Sequence, residues 1–346
     1  MNRNPLNATF ELTTRCNLKC KMCLIRHYDN VIKKELSANQ WINLGKQAYD
    51  CGTVCILITG GEPFLRSDFP HIYSEIYKMG FIITLYTNGT LLNGEIKEIL
   101  TRYPPHRLGV TVYGGSPETY KKVCGTSSGF EKMIQSLIFF KTLPSVLNIR
   151  TTLIKDNIND YKLIEDIAQK FSSNKSLDVS RIVSKSIRGG HTKPEDCRLS
   201  PQENIDIIFG RARKAIKNKK LSNSDMIAIR NTSAAKSFRQ SYLYGCAAAV
   251  NSYTITWDGK MLGCQILDDI YTNPIITSLA DAWALLEENI EPALPNPYCS
   301  SCQYVYYCTA CPALIKAETG IFSGKPEYIC EDAKRLYDLV NSISIL

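Results

Sequence analysis

The 346-residue chain has only four histidines, His27, His71, His106 and His191, and none stands at a metal-ligand spacing from a cysteine. Mixed Cys/His zinc sites are therefore disfavoured. The sequence also lacks any apolar run close to the ~20 residues that a membrane-spanning helix needs, and its first residues, MNRNPLNATFEL, lack the apolar stretch of a secretory signal. Both absences lead to the expectation of a cytoplasmic protein with no membrane partner. Charge of one sign is not concentrated anywhere. The 41 basic and 33 acidic side chains leave a net charge of +8, and the densest patch, Arg211 to Lys220, reads as the solvated face and end of a helix. That argues against nucleic-acid binding and leaves room for an acidic substrate drawn in at long range. Internal repeats and low-complexity tracts are absent as well.

Cysteine is plentiful: there are fourteen. In a reducing compartment so many thiols are better explained by metal or redox chemistry than by structural disulfides. The length exceeds that of a usual single domain, which points to one large catalytic domain with a smaller appendage. Apolar runs at residues 9–12, 54–59, 82–86, 108–113, 147–153 and 177–183 alternate with amphipathic segments at 37–51, 69–78, 95–103, 117–123, 129–142 and 158–171. A strand–helix alternation repeated six times predicts a parallel α/β fold, a partial (β/α)6 TIM-like barrel over residues 1–190, with functional residues at the C-terminal ends of its strands. Residues 191–245 read as a helical connector. Residues 246–346 form a cysteine-rich domain with a terminal helix, and its segment TITWDGKMLGC reads as a hairpin turning at Asp258-Gly259.

Just after the first strand, Cys16, Cys20 and Cys23 form C-x3-C-x2-C in TTRCNLKCKMC. Three thiolates suit a 4Fe-4S cluster with one iron left open to an exogenous ligand, whereas zinc would call for a fourth ligand. The second strand ends in Gly60-Gly61-Glu62-Pro63, where paired glycines permit a close backbone approach and Glu62 offers a carboxylate to an ammonium group. The third ends in Tyr86-Thr87-Asn88-Gly89, with polar side chains suited to a ribose. Each of these two stretches, taken alone, is more often an ordinary turn.

In this order the features resemble the radical S-adenosylmethionine (radical SAM) superfamily over roughly residues 7–190. The resemblance implies that Cys16, Cys20 and Cys23 hold the 4Fe-4S cluster, and that the methionine part of S-adenosylmethionine chelates its open iron. It also implies that main chain at Gly60, Gly61 and Glu62, next to Pro63, meets the cofactor's amino group. Met22 would lie against the adenine, Asn88 on the ribose, and Thr111 at the place of a cofactor-binding serine. Arg150 would pair with a carboxylate, or form an ion pair of the barrel. The implied chemistry is reductive cleavage to a 5′-deoxyadenosyl radical that abstracts hydrogen, with electrons from an external reductant such as flavodoxin or ferredoxin.

The C-terminal cysteines, Cys246, Cys264, Cys299, Cys302, Cys308, Cys311 and Cys330, resemble the SPASM extension of that superfamily, which carries two auxiliary iron–sulfur clusters. Position by position, Cys246, Cys264 and Cys311 correspond to the first cluster, one thiolate short, and Cys299, Cys302, Cys308 and Cys330 to the second. Between Cys308 and Cys311 the spacing is x2 where the family usually has x3, and a pair of zinc sites is the alternative. Cys124 and Cys197 are either buried core thiols or hydrogen donors of an epimerase. The resemblance favours a maturase of a ribosomally made peptide, forming a thioether or carbon–carbon crosslink or an inverted residue. Rivals are formylglycine formation, against which Gln265 stands where an aspartate is expected, and tetrapyrrole side-chain modification. A non-enzymatic iron–sulfur carrier or zinc-binding protein would need neither the open iron nor the glycine motif. The first strand starts near residue 8, so a peptide leader is expected to bind the barrel, the connector or a separate protein.

Overall fold

The computed structural model describes residues 3–25, 35–181, 183–185, 193–217, 246–289 and 296–343. It divides into two compact units, the first comprising Met1–Arg198 with Ala248–Ile290 and the second Leu199–Ala247 with Glu291–Leu346.

In the first unit β1 (Asn7–Glu11), β2 (Cys55–Thr59), β3 (Ile82–Thr87), β4 (Arg107–Thr111), β5 (Val146–Thr152) and β6 (Leu177–Ser180) pair in parallel, each with the next. The crossovers contain α1 (Ala38–Asp50), α2 (Phe69–Lys78), α3 (Gly94–Arg102), α4 (Pro117–Cys124), α5 (Ser128–Phe140) and α6 (Tyr161–Phe171). This is the parallel α/β barrel that the alternating pattern predicts. Burial alternates along the strands, so that Ile83, Leu85 and Thr87 of β3 are buried while Thr84 and Tyr86 are half-buried. Phe10 of β1 packs on Trp41 of α1 with ring centroids 5.2 Å apart, which places the buried row against the helices and the polar row inside. Local chemistry sets the helix ends. Ser37 and Gln40 form a reciprocal capping box at α1, Asn93 and Ser116 cap α3 and α4, and Gly125 at φ 82° closes α4 in the left-handed conformation.

The hairpin expected around Asp258-Gly259 is present as β7 (Ser252–Ile255) and β8 (Met261–Leu262), with Gly259 at φ 90° and β9 (Tyr271–Thr272) added outside it. Its place differs from the domain boundary expected at residue 246. β7 pairs in parallel with β1, from Asn7 opposite Ser252 to Phe10 opposite Ile255, so the sheet runs β6-β5-β4-β3-β2-β1-β7-β8-β9. The physical reason is that β1 would otherwise present an open edge. Tyr253 anchors the addition, its hydroxyl 3.0 Å from Thr53 Oγ1 and its ring 5.8 Å from Trp283 of the following helix. Before the chain leaves this unit, the Cys197 carbonyl of a single turn, α7 (Pro194–Cys197), accepts from the Lys155 N–H at 2.9 Å.

The second unit contains α8 (Pro201–Lys217), and α9 (Leu279–Glu288) belongs to the first. The rest of the second unit has α10 (Pro297–Ser300), α11 (Pro312–Thr319) and α12 (Glu327–Ile343). Asn204 of α8 donates to Tyr328 at 2.8 Å and to Asp332 at 3.0 Å, tying α8 to α12. Most of the expected connector, residues 218–245, lies outside the described residues, as do His27 and His191. Among the described residues no helix is long and apolar enough to cross a membrane.

Candidate active site and cysteine centres

Cys16, Cys20 and Cys23 lie on the segment leaving the C-terminal end of β1. A helix leaves its last carbonyls without partners, and here α4 lends two of them to that segment: Lys19 N–H donates to Cys124 O at 2.8 Å and Lys21 N–H to Val123 O at 3.1 Å. Burial pushes the Cys16 thiol up to about 12, with the Glu62 charge and the Cys23 thiol adding to it. The Cys20 thiol is raised first by its hydrogen bond with Cys124, then by burial and by Cys23 and Cys16. Three thiols that oppose one another's ionisation in a buried setting become thiolates only against strong positive charge, which iron supplies. The donor set therefore fits a cluster.

The glycines after β2 sharpen the expectation placed on them. Gly61 N–H donates to Thr13 O at 2.7 Å and Glu62 N–H to Arg15 O at 2.8 Å. A Cβ on Gly61 would fall 2.3 Å from Arg15 O, and one on Gly60, whose φ is 146°, 2.5 Å from Thr13 O. The close approach these residues permit is thus to the cysteine-bearing segment itself. The Glu62 carboxylate, fully buried, accepts from Thr87 Oγ1 at 2.8 Å, Asn88 N at 2.7 Å and Phe64 N at 3.2 Å. It ties the end of β2 to the end of β3. Burial outweighs those hydrogen bonds and raises the carboxyl to about 7. Pro63 begins the short 3-10 turn that follows.

Asn88 is equally committed. Its Nδ2 donates to Asn17 Oδ1 at 3.0 Å and points at Cys16 Sγ from 3.7 Å, while its Oδ1 accepts from Thr90 N at 2.8 Å and Thr90 Oγ1 at 2.6 Å. Sequence reasoning missed Thr90 and Asn17, and it missed Glu35, which accepts from the Thr13 hydroxyl, pairs with Arg15 at 3.0 Å and lies 3.7 Å from Arg66. No local pattern marks Glu35, because its partners belong to other segments.

Met22 is buried beside Cys23 in the chain, and Thr111 is half-buried at the end of β4. Arg150 of β5 stacks its guanidinium 4.3 Å from the centroid of Tyr86 and donates from Nε to Asp178 at 2.9 Å, with Gly109 leaving room for the ring. It is an ion pair of the barrel in this state, on the polar inner row. Cys124 is buried at 1% exposure, hydrogen-bonded with Cys20 and with its Sγ 3.0 Å from Tyr120 O. Cys197 is buried at 2% exposure on α7, with its Sγ 3.8 Å from Lys193 O and Lys21 of the cysteine segment within electrostatic reach.

In the second unit, Cys299 lies on α10, Cys302 and Cys308 flank a 3-10 turn, Cys311 caps α11 and Cys330 lies on α12. Burial, then Cys330 and Cys302, raises the Cys299 thiol, and burial, then Cys308, raises that of Cys330. Cys299, Cys302, Cys308 and Cys330 are therefore gathered within electrostatic reach of one another. The three cysteines of the other expected set are divided between the units, Cys264 in the first and Cys246 and Cys311 in the second. Among the described residues no three His, Cys, Asp or Glu side chains converge on a single ion.

The family model described as the radical SAM superfamily matches residues 10–167, which covers β2 to β5, the cysteine segment and the glycine motif just described. Residues 10–167 carry a radical SAM domain. This radical SAM protein is 25% identical to the AdoMet-dependent heme synthase of Methanosarcina barkeri (strain Fusaro / DSM 804), over 95% of this chain and 97% of the relative. It is 28% identical to the antilisterial bacteriocin subtilosin biosynthesis protein AlbA of Bacillus subtilis (strain 168), but only over 48% of this chain and 36% of that relative. Its fold is similar to the crystal structure of Streptococcus suis SuiB bound to precursor peptide SuiA, with a TM-score of 0.70 and 18% identity over 95% of this chain and 76% of that one. It is thus an enzyme whose cofactors are those of its superfamily, S-adenosylmethionine and a 4Fe-4S cluster.

Proposed function

We propose that this radical SAM enzyme modifies a ribosomally synthesised peptide, removing a hydrogen atom from an unactivated C–H bond to form a thioether or carbon–carbon crosslink or to invert a residue. Cys16, Cys20 and Cys23 hold the cluster in this reading, and Gly60, Gly61, Met22, Thr111 and Arg150 shape the cofactor's place at the strand ends. When bound, cluster and cofactor together supply a carbon-centred radical. The protein's part is to exclude water and to fix the substrate carbon beside that radical, using the polar inner row around Tyr86 and Arg150.

The observation that carries the peptide reading is the gathering of Cys299, Cys302, Cys308 and Cys330 in a second unit. Forming a crosslink removes two hydrogens; the radical takes one as an atom, and one electron and one proton remain. A second cluster is a place for that electron. The likeness to AlbA and to the SuiB fold supports a peptide substrate, with an external one-electron reductant as partner. For formylglycine formation, residue 265 would be expected to act as a base; it is Gln265, an amide that donates to Thr9 Oγ1 at 3.3 Å.

A second reading, modification of a tetrapyrrole side chain, is favoured by the heme synthase that aligns along nearly its whole length. Anaerobic protein reconstituted with iron and sulfide, given S-adenosylmethionine and dithionite, separates the two. 5′-Deoxyadenosine coupled to loss of two hydrogens, or to one solvent deuterium gained, in a peptide encoded beside this chain supports the first. Coupling to loss of carbon dioxide from a propionate-bearing iron porphyrin supports the second. No 5′-deoxyadenosine at all would refute both.

A further inference from the structure

The segment that carries Cys16, Cys20 and Cys23 is surrounded by groups able to donate a hydrogen bond to sulfur. Asn88, only 4% exposed, points Nδ2 at Cys16 Sγ from 3.7 Å, and the Leu18 N–H reaches the same sulfur at 3.4 Å. Asn88 has no freedom to turn elsewhere. Its Oδ1 accepts from Thr90 at 2.8 and 2.6 Å and its own N–H donates to Glu62 at 2.7 Å.

Cys20 has two side-chain neighbours of the same kind. The Tyr113 hydroxyl and the Cys124 thiol are both hydrogen-bonded with it. Each is held by a separate element. Tyr113 follows β4, its N–H donating to the Tyr120 hydroxyl at 3.3 Å, its carbonyl accepting from Asn157 Nδ2 at 3.0 Å and its ring lying edge-on to Tyr120 at 5.9 Å. Cys124 ends α4, which also carries the Lys19 and Lys21 amides on its last carbonyls. Movement of α4 would therefore move the Cys20 loop and its thiol neighbour as one body.

A hydrogen bond to a coordinated thiolate draws charge off the sulfur and favours the more negative, reduced state of a cluster, which raises its reduction potential. We propose that Asn88, Tyr113 and Cys124 are positioning residues that set the reduction potential of the radical-generating cluster by hydrogen-bonding the sulfurs of Cys16 and Cys20. This rests on the assignment of Cys16, Cys20 and Cys23 as that cluster's ligands. The Cys124 S–H donates to Tyr120 O at 3.0 Å, so on thiolate ligation of Cys20 it must leave that carbonyl to become the donor of the pair. Cys124 then serves the cluster in place of a hydrogen-transfer role.

The test is an anaerobic redox titration of the full-length, reconstituted enzyme followed by electron paramagnetic resonance, reading the signal that S-adenosylmethionine perturbs. Tyr113→Phe and Cys124→Ala should each move the midpoint in the negative direction, lowering the reduced-to-oxidised ratio at the wild-type midpoint about three- to tenfold, roughly 30–60 mV for a one-electron couple. Cys124→Ser keeps a donor and should stay within about twofold of wild type. A packing role alone would lower iron and sulfide content without moving the midpoint. Unchanged midpoints in Tyr113→Phe and Cys124→Ala at wild-type iron content overturn the proposal while leaving the ligand assignment standing. If Cys124→Ala assembles no cluster, the Tyr113→Phe midpoint decides. A triple Cys16→Ala, Cys20→Ala, Cys23→Ala variant that keeps the perturbed signal overturns both.

Discussion

At Glu62, three hydrogen bonds compete with complete burial, and burial wins: the carboxyl is raised from 4.5 to about 7. The folded protein then binds this proton more tightly than the unfolded chain does, so the associated stability is complete below pH 4.5 and is lost as pH rises through about 7. The interval from 4.5 to about 7 corresponds to about 3 kcal/mol. Glu62→Gln should flatten the fall of the urea midpoint across that interval, at the expense of ~1–3 kcal/mol because its Nε2 would face a backbone or hydroxyl donor. An undiminished slope in the variant would show that another group titrates. Gly61 makes a steric case at the same place. In Gly61→Ala the new methyl carbon meets backbone oxygens at 2.3 and 2.6 Å, so the cysteine segment must shift. Iron incorporation and 5′-deoxyadenosine formation should both fall at least about tenfold, by analogy with the cost of misplacing reacting groups. Gly52→Ala is the control: its φ of 82° carries backbone strain but nothing lies within 4 Å, so cluster content should be unchanged.

Between elements, the strand ends form one locked assembly: Gly61 and Glu62 after β2 grip the segment after β1, and Glu62 grips the turn after β3. A similar coupling joins β3, β4 and β5, where Gly109 opposite Tyr86 leaves space for the ring that Arg150 covers. A Cβ at residue 109 would sit 2.5 Å from two ring carbons of Tyr86. Gly109→Ala should therefore unseat the Tyr86–Arg150 stack, and Arg150→Lys should lose its planar geometry. If Arg150 contacts a carboxylate of the cofactor, both variants raise KM for S-adenosylmethionine about tenfold with a smaller change in kcat. A fall in kcat alone at unchanged KM would instead place Arg150 on the reacting substrate. The strands themselves were legible from sequence because half-buried parallel strands alternate and their helices carry caps. The ends were less so: β4 stops at Thr111 although the apolar run continues, since beyond Val112, still bonded to Arg150 O, the Tyr113 N–H turns to the Tyr120 hydroxyl. Asn88 and Glu62 were found as residues, but the bonds from Asn88 to Asn17 and from the end of β3 to Glu62 were not, since they join segments with no common local pattern.

Across the whole chain the cysteine spacings carried the cofactor chemistry, whereas the unit boundary was hidden. The turn at Asp258-Gly259 announces a hairpin, yet nothing near Ser252 says that its strand will pair with Asn7 at the other end of the sequence. The consequence is that Cys264 belongs to the barrel's unit and Cys299, Cys302, Cys308 and Cys330 to the other. A division of labour between radical generation and electron removal can then be tested by which product disappears. With Cys16, Cys20 or Cys23 replaced by Ala, 5′-deoxyadenosine formation should drop to background. With Cys302 or Cys308 replaced, 5′-deoxyadenosine should still form, but without the oxidised, crosslinked peptide, because the last electron has no acceptor. Inversion of a residue requires a hydrogen donor and no net oxidation. An epimerised product that survives Cys302→Ala unchanged would therefore assign the second unit a structural role and turn attention back to a thiol in the barrel.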